Sequence, residues 1–368
     1  MNTPLRAIGL MSGTSMDGVD LALLDTDGRD NLVFGPTGFR PYTAEQRAML
    51  RASLDEATTL TERTARPGAL ADAERLVTEV HAAAVSEFLA RHELHPAAID
   101  LIGFHGQTVL HRPQDCLTVQ IGDGQRLAGQ LGIRIMADMR AADVAAGGQG
   151  APLVPVFHQA LVRGTSLPEP TLVINIGGVA NVTFVSRDHD PIAFDTGPGN
   201  ALIDDLMLQR EGAAFDQNGT RAASGTVDPA ALARLMDHPY FGAPLPKSLD
   251  RNAFSRVPVE FLATADAAAT LTAFTANSIS ASLHLLPEEP DLAVVCGGGA
   301  LNATLMAFLH DTLPCPVKAA GEVGWSGEAV EAQAFAYLAV RALQKLPLTF
   351  PSTTGVPQPM TGGVLFEP

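Results

Sequence analysis

Residues 7–25 read AIGLMSGTSMDGVDLALLD, and this stretch decides what the rest of the chain can be. Apolar residues run to Met11, the segment Ser12-Gly13-Thr14-Ser15-Met16-Asp17-Gly18 interrupts them, and Val19 to Leu24 resumes a β-friendly pattern. A strand, a tight turn and a second strand are predicted. The small residues leave backbone amides bare beside the hydroxyls of Thr14 and Ser15 and the Asp17 carboxylate, a composition that suits phosphate oxygens with a nearby cation. Asp17 is the candidate magnesium ligand, through water, because that ion keeps much of its hydration shell. An ordinary hairpin with Gly18 at positive φ fits the turn equally well.

The second half of the chain repeats the unit. Thr171 to Ile176, the turn Gly177-Gly178-Val179-Ala180-Asn181 and Val182 to Val185 again read strand, glycine turn, strand. Two copies separated by a crossover region predict two related lobes, each presenting a turn to a shared cleft. A third glycine site, Gly297-Gly298-Gly299-Ala300-Leu301-Asn302, follows the apolar run Leu292–Cys296 and opens a helix, where a base or ribose can lie against backbone.

Three further stretches carry candidate chemistry. Ile99–Phe104 reads as a buried strand emptying into His105-Gly106-Gln107-Thr108, polar groups at a strand end where ligands gather in α/β sheets. A histidine satisfying a loop carbonyl is the alternative. Asp138 and Arg140, two apart at another strand end, point the same way in extended chain, either toward a ligand or as an ion pair bracing the loop. Ile192-Ala193-Phe194-Asp195 enters Thr196-Gly197-Pro198-Gly199-Asn200 and then a helix. Asp195 can serve as a general base if it lies roughly 3 Å from the nucleophile's proton. It can also cap that helix, a role for which Asn200 is better placed. Lys247, Ser248 and Arg251 are loop residues that can face an anion, and Ser326 is a candidate cap for the last long helix, whose first turns carry Glu331.

The chain has 368 residues, 46% hydrophobic and 17% charged, so two well-buried domains are expected rather than disorder. A formal charge of −16 argues against nucleic acid and anionic membrane as partners. The three cysteines, Cys116, Cys296 and Cys315, are scattered without Cys-x-x-Cys spacing, so neither a disulfide framework nor a zinc site is indicated. No signal-peptide pattern or bilayer-length apolar run is read, and a cytoplasmic protein is expected. A homodimer is left open.

SGTSMDGVD, HGQTVLHRP, ADMRAADVAAGGQGAPLVP, FDTGPGN and PKSLDR, in that order, resemble the motifs of the anhydro-N-acetylmuramic acid kinases. These belong to the sugar kinase, chaperone ATPase and actin superfamily. Met16, Phe104, Met139 and Leu301 depart from the family's usual residues. The resemblance implies an α/β, two-lobed, ribonuclease H-like (actin-type ATPase) fold with a central nucleotide and substrate cleft. Residues 1–148 with 350–368 would form one lobe and 149–349 the other. It implies ATP and Mg2+ as cofactors, held by Gly13, Thr14, Ser15, Met16, Asp17, Gly18, Val19, Asp20, Gly177, Gly178, Asn181, Gly297, Gly298, Gly299 and Asn302, with Asp17 on the metal. It implies a small-molecule sugar substrate met by His105, Gly106, Gln107, Thr108, Asp138, Arg140, Asp195 and Glu331, with Asp195 and Glu331 catalytic and Glu331 projecting toward Asp195. A conventional sugar or acetate-type kinase, and a non-enzymatic sugar-sensing or actin-like protein, are the alternatives. An acidic chain handling such ligands must make positive potential locally, from amides and a metal.

Overall fold

The computed structural model describes residues 3–13, 15–251, 253–327 and 329–368. Its contacts divide the chain into two units, Met1–Gly164 with Glu328–Pro368, and Thr165–Gly327.

The described strands are β1 (Leu5–Ser12), β2 (Gly18–Thr26), β3 (Leu32–Pro41), β4 (Leu101–Arg112), β5 (Leu117–Ile121), β6 (Ile135–Ala137), β7 (Thr171–Ile176), β8 (Val179–Val185), β9 (Ile192–Pro198), β10 (Leu292–Cys296), β11 (Val317–Ala319) and β12 (Val364–Phe366). The described helices are α1 (Ala44–Ala57), α2 (Ala69–Arg91), α3 (Gly124–Leu131), α4 (Ala141–Ala145), α5 (Pro155–Gly164), α6 (Ala201–Glu211), α7 (Thr220–Ala223), α8 (Pro229–Met236), α9 (Thr264–Ser282), α10 (Ala303–Thr312), α11 (Val330–Leu343) and α12 (Pro351–Thr354).

In the first unit β1, β2 and β3 form an antiparallel meander, and β4 and then β6 join in parallel on the free side of β1. In the second, β7, β8 and β9 form the meander, and β10 and then β11 join in parallel on the free side of β7. Both units therefore carry the ribonuclease H-like strand order, which bears out the expected fold class and the internal repeat. Parallel neighbours need crossovers. Here α1 and α2 precede β4, and α6 to α9 precede β10.

Period-two alternation places Ile8 and Leu10 of β1 in a core shared with Val77, Val80 and Phe88 of α2. Gly9 between them faces α11, and a Cβ on it would stand 1.7 Å from the Ala332 carbonyl oxygen. The second unit buries Leu172, Ile174 and Ile176 of β7 against Ile279 of α9 and Leu305 and Leu309 of α10. α9 is buried along most of its length, as its Ala- and Thr-rich composition predicts.

Several local expectations change. β4 continues through Arg112, so His105–Thr108 lie inside a strand rather than beyond its end. The stretch between β5 and β6 contains helix α3, started by the Asp123 carboxylate accepting from the Arg126 amide at 2.9 Å. α11 begins at Val330 with Ala329 at its N-cap and no side-chain cap, so Ser326 does not cap it. The partition also differs from the expected lobes: α5 and α11 both group with the first unit.

The small-residue segment after α4 is held by one buried carboxylate. Asp143 accepts from the Gly150 amide at 2.6 Å through Oδ1 and from the Thr354 hydroxyl at 2.6 Å through Oδ2. Thr354→Val leaves a buried carboxylate oxygen short of a donor, and should lower stability by about 1–3 kcal/mol in a denaturant titration. An unchanged midpoint would contradict that role. Among the described residues no helix is long and apolar enough to cross a membrane.

Candidate functional site

The first turn is anchored from below. Met16 sits at φ +54° with its side chain buried in the core of the first unit, and Val19 is buried in β2. Their side chains therefore pack rather than meet a ligand, and only their backbone remains for phosphate. Asp17 is exposed. Its Oδ1 accepts from the Ser15 hydroxyl at 2.7 Å and the Gly18 amide at 3.1 Å, and among the described residues Oδ2 has no partner. Thr14 lies outside the described residues. One oriented carboxylate, with no cluster of three metal-ligating side chains among the described residues, fits a magnesium ion that keeps most of its waters.

The tetrad on β4 behaves differently from the expectation. Leu10 pairs with Phe104 but Ser12 pairs with Gln107, so β4 carries one extra residue there. Gly106 takes φ +72°, and a Cβ on it would meet the Ile121 carbonyl oxygen at 2.7 Å. This bulge reverses the alternation. His105 faces α11, its ring 4.7 Å from that of Phe335, whereas Gln107 turns to the other face and bonds Ser12. Thr108 accepts from the Gln120 amide at 3.2 Å.

Both nitrogens of His105 are engaged. Arg140 can only donate, so Nε2 accepts from its Nη2 at 3.1 Å and Nε at 3.3 Å, while Nδ1 donates to the Gly106 carbonyl at 2.8 Å. Burial, then the Arg140 charge, pushes the His105 pKa down to about 3, which keeps this neutral tautomer. Arg140 also donates to the Gly150 carbonyl at 2.8 Å. His105 thus positions Arg140 and has no nitrogen left for a sugar. Asp138 has φ +59° and pairs with Arg63, not with Arg140, so neither the shared direction nor the mutual ion pair expected of these two is found. Asp138, His105 and Gly106 line a cavity of about 180 Å³. Glu331, in the first turn of α11, keeps solvent access, yet the protein around it raises its pKa, against the lowering effect of Arg140.

In the second unit Asp195 lies inside β9, opposite Asn181 of β8, next to a bulge that leaves Thr196 unmatched. Its backbone amide donates to the Lys247 carbonyl at 3.2 Å, and its Oδ2 accepts from the Leu249 amide at 2.7 Å. Tyr240 donates its hydroxyl to the Asp195 carbonyl at 2.7 Å. Burial raises the Asp195 pKa to about 6, opposed by the Leu249 hydrogen bond. The PKSLDR segment therefore serves Asp195 through its backbone. Lys247 is largely covered, its Nζ 4.6 Å from the Tyr240 ring centre, and Arg251 pairs with Asp205 at 3.0 Å. Asn200 stands at the N-cap of α6, as expected, but its side chain makes no capping bond there and donates instead to the Ile176 carbonyl at 3.3 Å. Asp195 does not cap it either.

Gly177 and Gly178 are bound through their carbonyls, which accept from the amides of Asn200 at 2.8 Å and Gly199 at 2.9 Å. Gly297 takes φ +74°, and a Cβ on Gly299 would lie 2.5 Å from Ile176 Cβ, so the third glycine admits a protein side chain rather than a ligand. Asn302 caps α10, accepting from the Leu305 amide at 2.9 Å. Gly298, Leu301 and Asn302 line a cavity of about 450 Å³ together with Asp204, Phe215 and Asn218, a size that suits a nucleoside.

Tyr240 and the Leu249 amide, which hold Asp195, escape sequence reasoning: one belongs to a Pro-Tyr-Phe run with no sign of its partner, the other is a backbone group with no signature.

The sequence profile described as anhydro-N-acetylmuramic acid kinase matches residues 5–368. The chain belongs to that family. It is 58% identical to the anhydro-N-acetylmuramic acid kinase of Azorhizobium caulinodans, over 99% of this chain and 100% of that one. It is 55% identical to that of Rhodopseudomonas palustris strain CGA009, with the same coverage. Among solved structures it resembles component A of the Acidaminococcus fermentans (R)-2-hydroxyglutaryl-CoA dehydratase, at 13% identity and TM-score 0.49, covering 93% of this chain and 100% of that one. The motif set that marked the family is thus distributed over both ribonuclease H-like units, with Asp195 on the second and the His105–Arg140 pair and Glu331 on the first.

Proposed function

We propose that this protein is an ATP-dependent kinase that converts 1,6-anhydro-N-acetylmuramic acid and water to N-acetylmuramate 6-phosphate, with ADP as the second product, in peptidoglycan recycling. Family membership supports the substrate class. The observation that carries the chemistry is Asp195: a partly buried carboxylate, fixed at one oxygen by the Leu249 amide and raised to a pKa of about 6, as a general base for neutral pH requires.

In this sugar the sixth oxygen is locked in a bridge to the anomeric carbon, so no free hydroxyl is available there. Asp195 takes a proton from water, whose oxygen bonds the anomeric carbon as the bridging C–O bond breaks. The released oxygen bonds the terminal phosphorus of ATP, and the bond to ADP breaks. Glu331 and Arg140 hold the sugar, Arg140 fixed in direction by His105. The turns at Gly13–Asp20, Gly177–Asn181 and Gly297–Asn302 hold the nucleotide. Asp17 would hold a magnesium ion through its waters, and that ion would supply neutralisation of phosphate charge there. The reading places the protein in the cytoplasm, as a monomer or homodimer, with neither nucleic acid nor membrane as partner.

The test is the product mass after incubation with magnesium, ATP and the anhydro sugar. A gain of one phosphoryl group plus one water is expected. Phosphate without water would mean an ordinary sugar kinase, and ATP loss with unchanged sugar would overturn the reading. The pKa adds a second check. Asp195 must be ionised to accept the proton, so kcat/KM should fall about tenfold per pH unit below pH 6 and level off above it. A flat profile from pH 5 to 7 would exclude this base.

A further inference from the structure

Beneath the first turn lies a buried hydrogen-bond chain that the proposed chemistry does not use. Ser12, Gln107 and Tyr42 are at most 3% exposed. The Gly13 carbonyl can only accept, so the group 3.0 Å from it is the Gln107 Nε2 amide. That orientation puts Oε1 2.6 Å from the Ser12 hydroxyl, which must donate to it. With its one proton spent, the Ser12 hydroxyl accepts from the Tyr42 hydroxyl at 3.1 Å. The chain runs in one direction: Tyr42 to Ser12, Ser12 to Gln107, Gln107 to Gly13.

Tyr42 closes the other end. Its backbone amide donates to the Asp17 carbonyl at 2.9 Å. The turn from Gly13 to Asp17 is therefore held at its first residue by the Gln107 side chain and at its last by the Tyr42 backbone, while the buried Met16 side chain pins its middle. Gln107 is fully buried, with both ends of its amide engaged, so it offers no free face to a sugar.

We propose that Gln107, Ser12 and Tyr42 are positioning residues for the phosphate turn, setting its geometry for ATP, and that Gln107 is not a sugar ligand. Satisfied buried networks fix one conformation, and removal of one member leaves its neighbour's polar group short of a partner. The kinetic part rests on the kinase reading above; the nucleotide-binding part does not.

The experiment compares Tyr42→Phe and Gln107→Leu with the parent protein, by steady-state kinetics and by calorimetric binding of magnesium AMPPNP. Expected are a KM for ATP and a Kd for AMPPNP raised about tenfold in Gln107→Leu and about threefold in Tyr42→Phe, with the KM for the sugar within twofold. A raised sugar KM with unchanged nucleotide binding would make Gln107 a sugar ligand and overturn the proposal, as would unchanged nucleotide affinity in both variants. If Gln107→Leu does not fold, Tyr42→Phe, which removes one oxygen, decides by the same shift. If the parent protein binds AMPPNP but does not turn over the anhydro sugar, the kinase reading fails while the binding comparison still stands.

Discussion

Asp195→Asn should reduce kcat by about 10³-fold while sugar and nucleotide binding change by no more than a few-fold. General bases contribute roughly 10²–10⁴, and the substitution removes the proton acceptor without removing shape or the hydrogen bond from Leu249, since an amide oxygen also accepts. The same substitution should stabilise the fold at neutral pH. The folded carboxyl titrates near 6 against an ordinary value of 3.8, so the native state binds the extra proton between those values and stability falls as pH rises through them. Above pH 6 the parent protein holds a partly buried charge that the amide does not carry; below about pH 4 both are neutral. Thermal melts should therefore favour Asp195→Asn at pH 7 and converge at pH 4. Residual turnover should also lose its dependence on pH between 5 and 7. Near-normal turnover at pH 7 would remove Asp195 from the base role, and a lowered melting temperature there would contradict its environment.

The origin of this environment explains which parts of the site the sequence could announce. The antiparallel pairs β1–β2 and β7–β8, each entered through a glycine-bearing turn, and the strand carrying Asp195 rest on local periodicity and turn chemistry, and they fold where the pattern puts them. The residues that went elsewhere are governed by single-residue events in the ladder. His105 and Gln107 are two apart and should share a face, but one extra residue at Gly106 sends them to opposite faces. Asp138 and Arg140 should also share a direction, but Asp138 enters the left-handed region. Side-chain patterns do not announce bulges, whose cost and stability depend on partner strands distant in sequence. Backbone donors such as Leu249 are silent for the same reason. The placement of α11 was legible in principle, because glycine inside an apolar strand often marks close approach of another backbone, and both Gly9 and Gly103 lie in such strands.

Gly103→Ala should be among the most destabilising single-methyl changes in the protein. Gly9 and Gly103 are direct partners on the parallel strands β1 and β4, and they form a shallow trough for the backbone of α11. A Cβ on Gly103 would stand 2.0 Å from the Phe335 carbonyl oxygen and 3.0 Å from Ala339 Cβ. No rotamer relieves a Cβ, so the helix must lift from the sheet and shed contacts with β1, β2 and β4 together. Overpacking of a tight core costs about 1–3 kcal/mol and occasionally more, and this contact is backbone to backbone; about 3 kcal/mol or more is expected, a fall of roughly 6–12 °C in melting temperature for a unit of this size. Gly129→Ala is the control. Gly129 lies in α3, and a Cβ added there would have nothing within 4 Å, so alanine should be neutral or stabilising by up to about 1 kcal/mol. Equal melting temperatures for the two variants would mean that α11 does not rest on the glycine pair. The effect should reach the chemistry as well. Glu331 occupies the first turn of α11, and Arg140, held by His105 on β4, acts on its charge. A displaced helix changes that relation, so Gly103→Ala assayed well below its melting temperature should lose sugar affinity while Gly129→Ala keeps it.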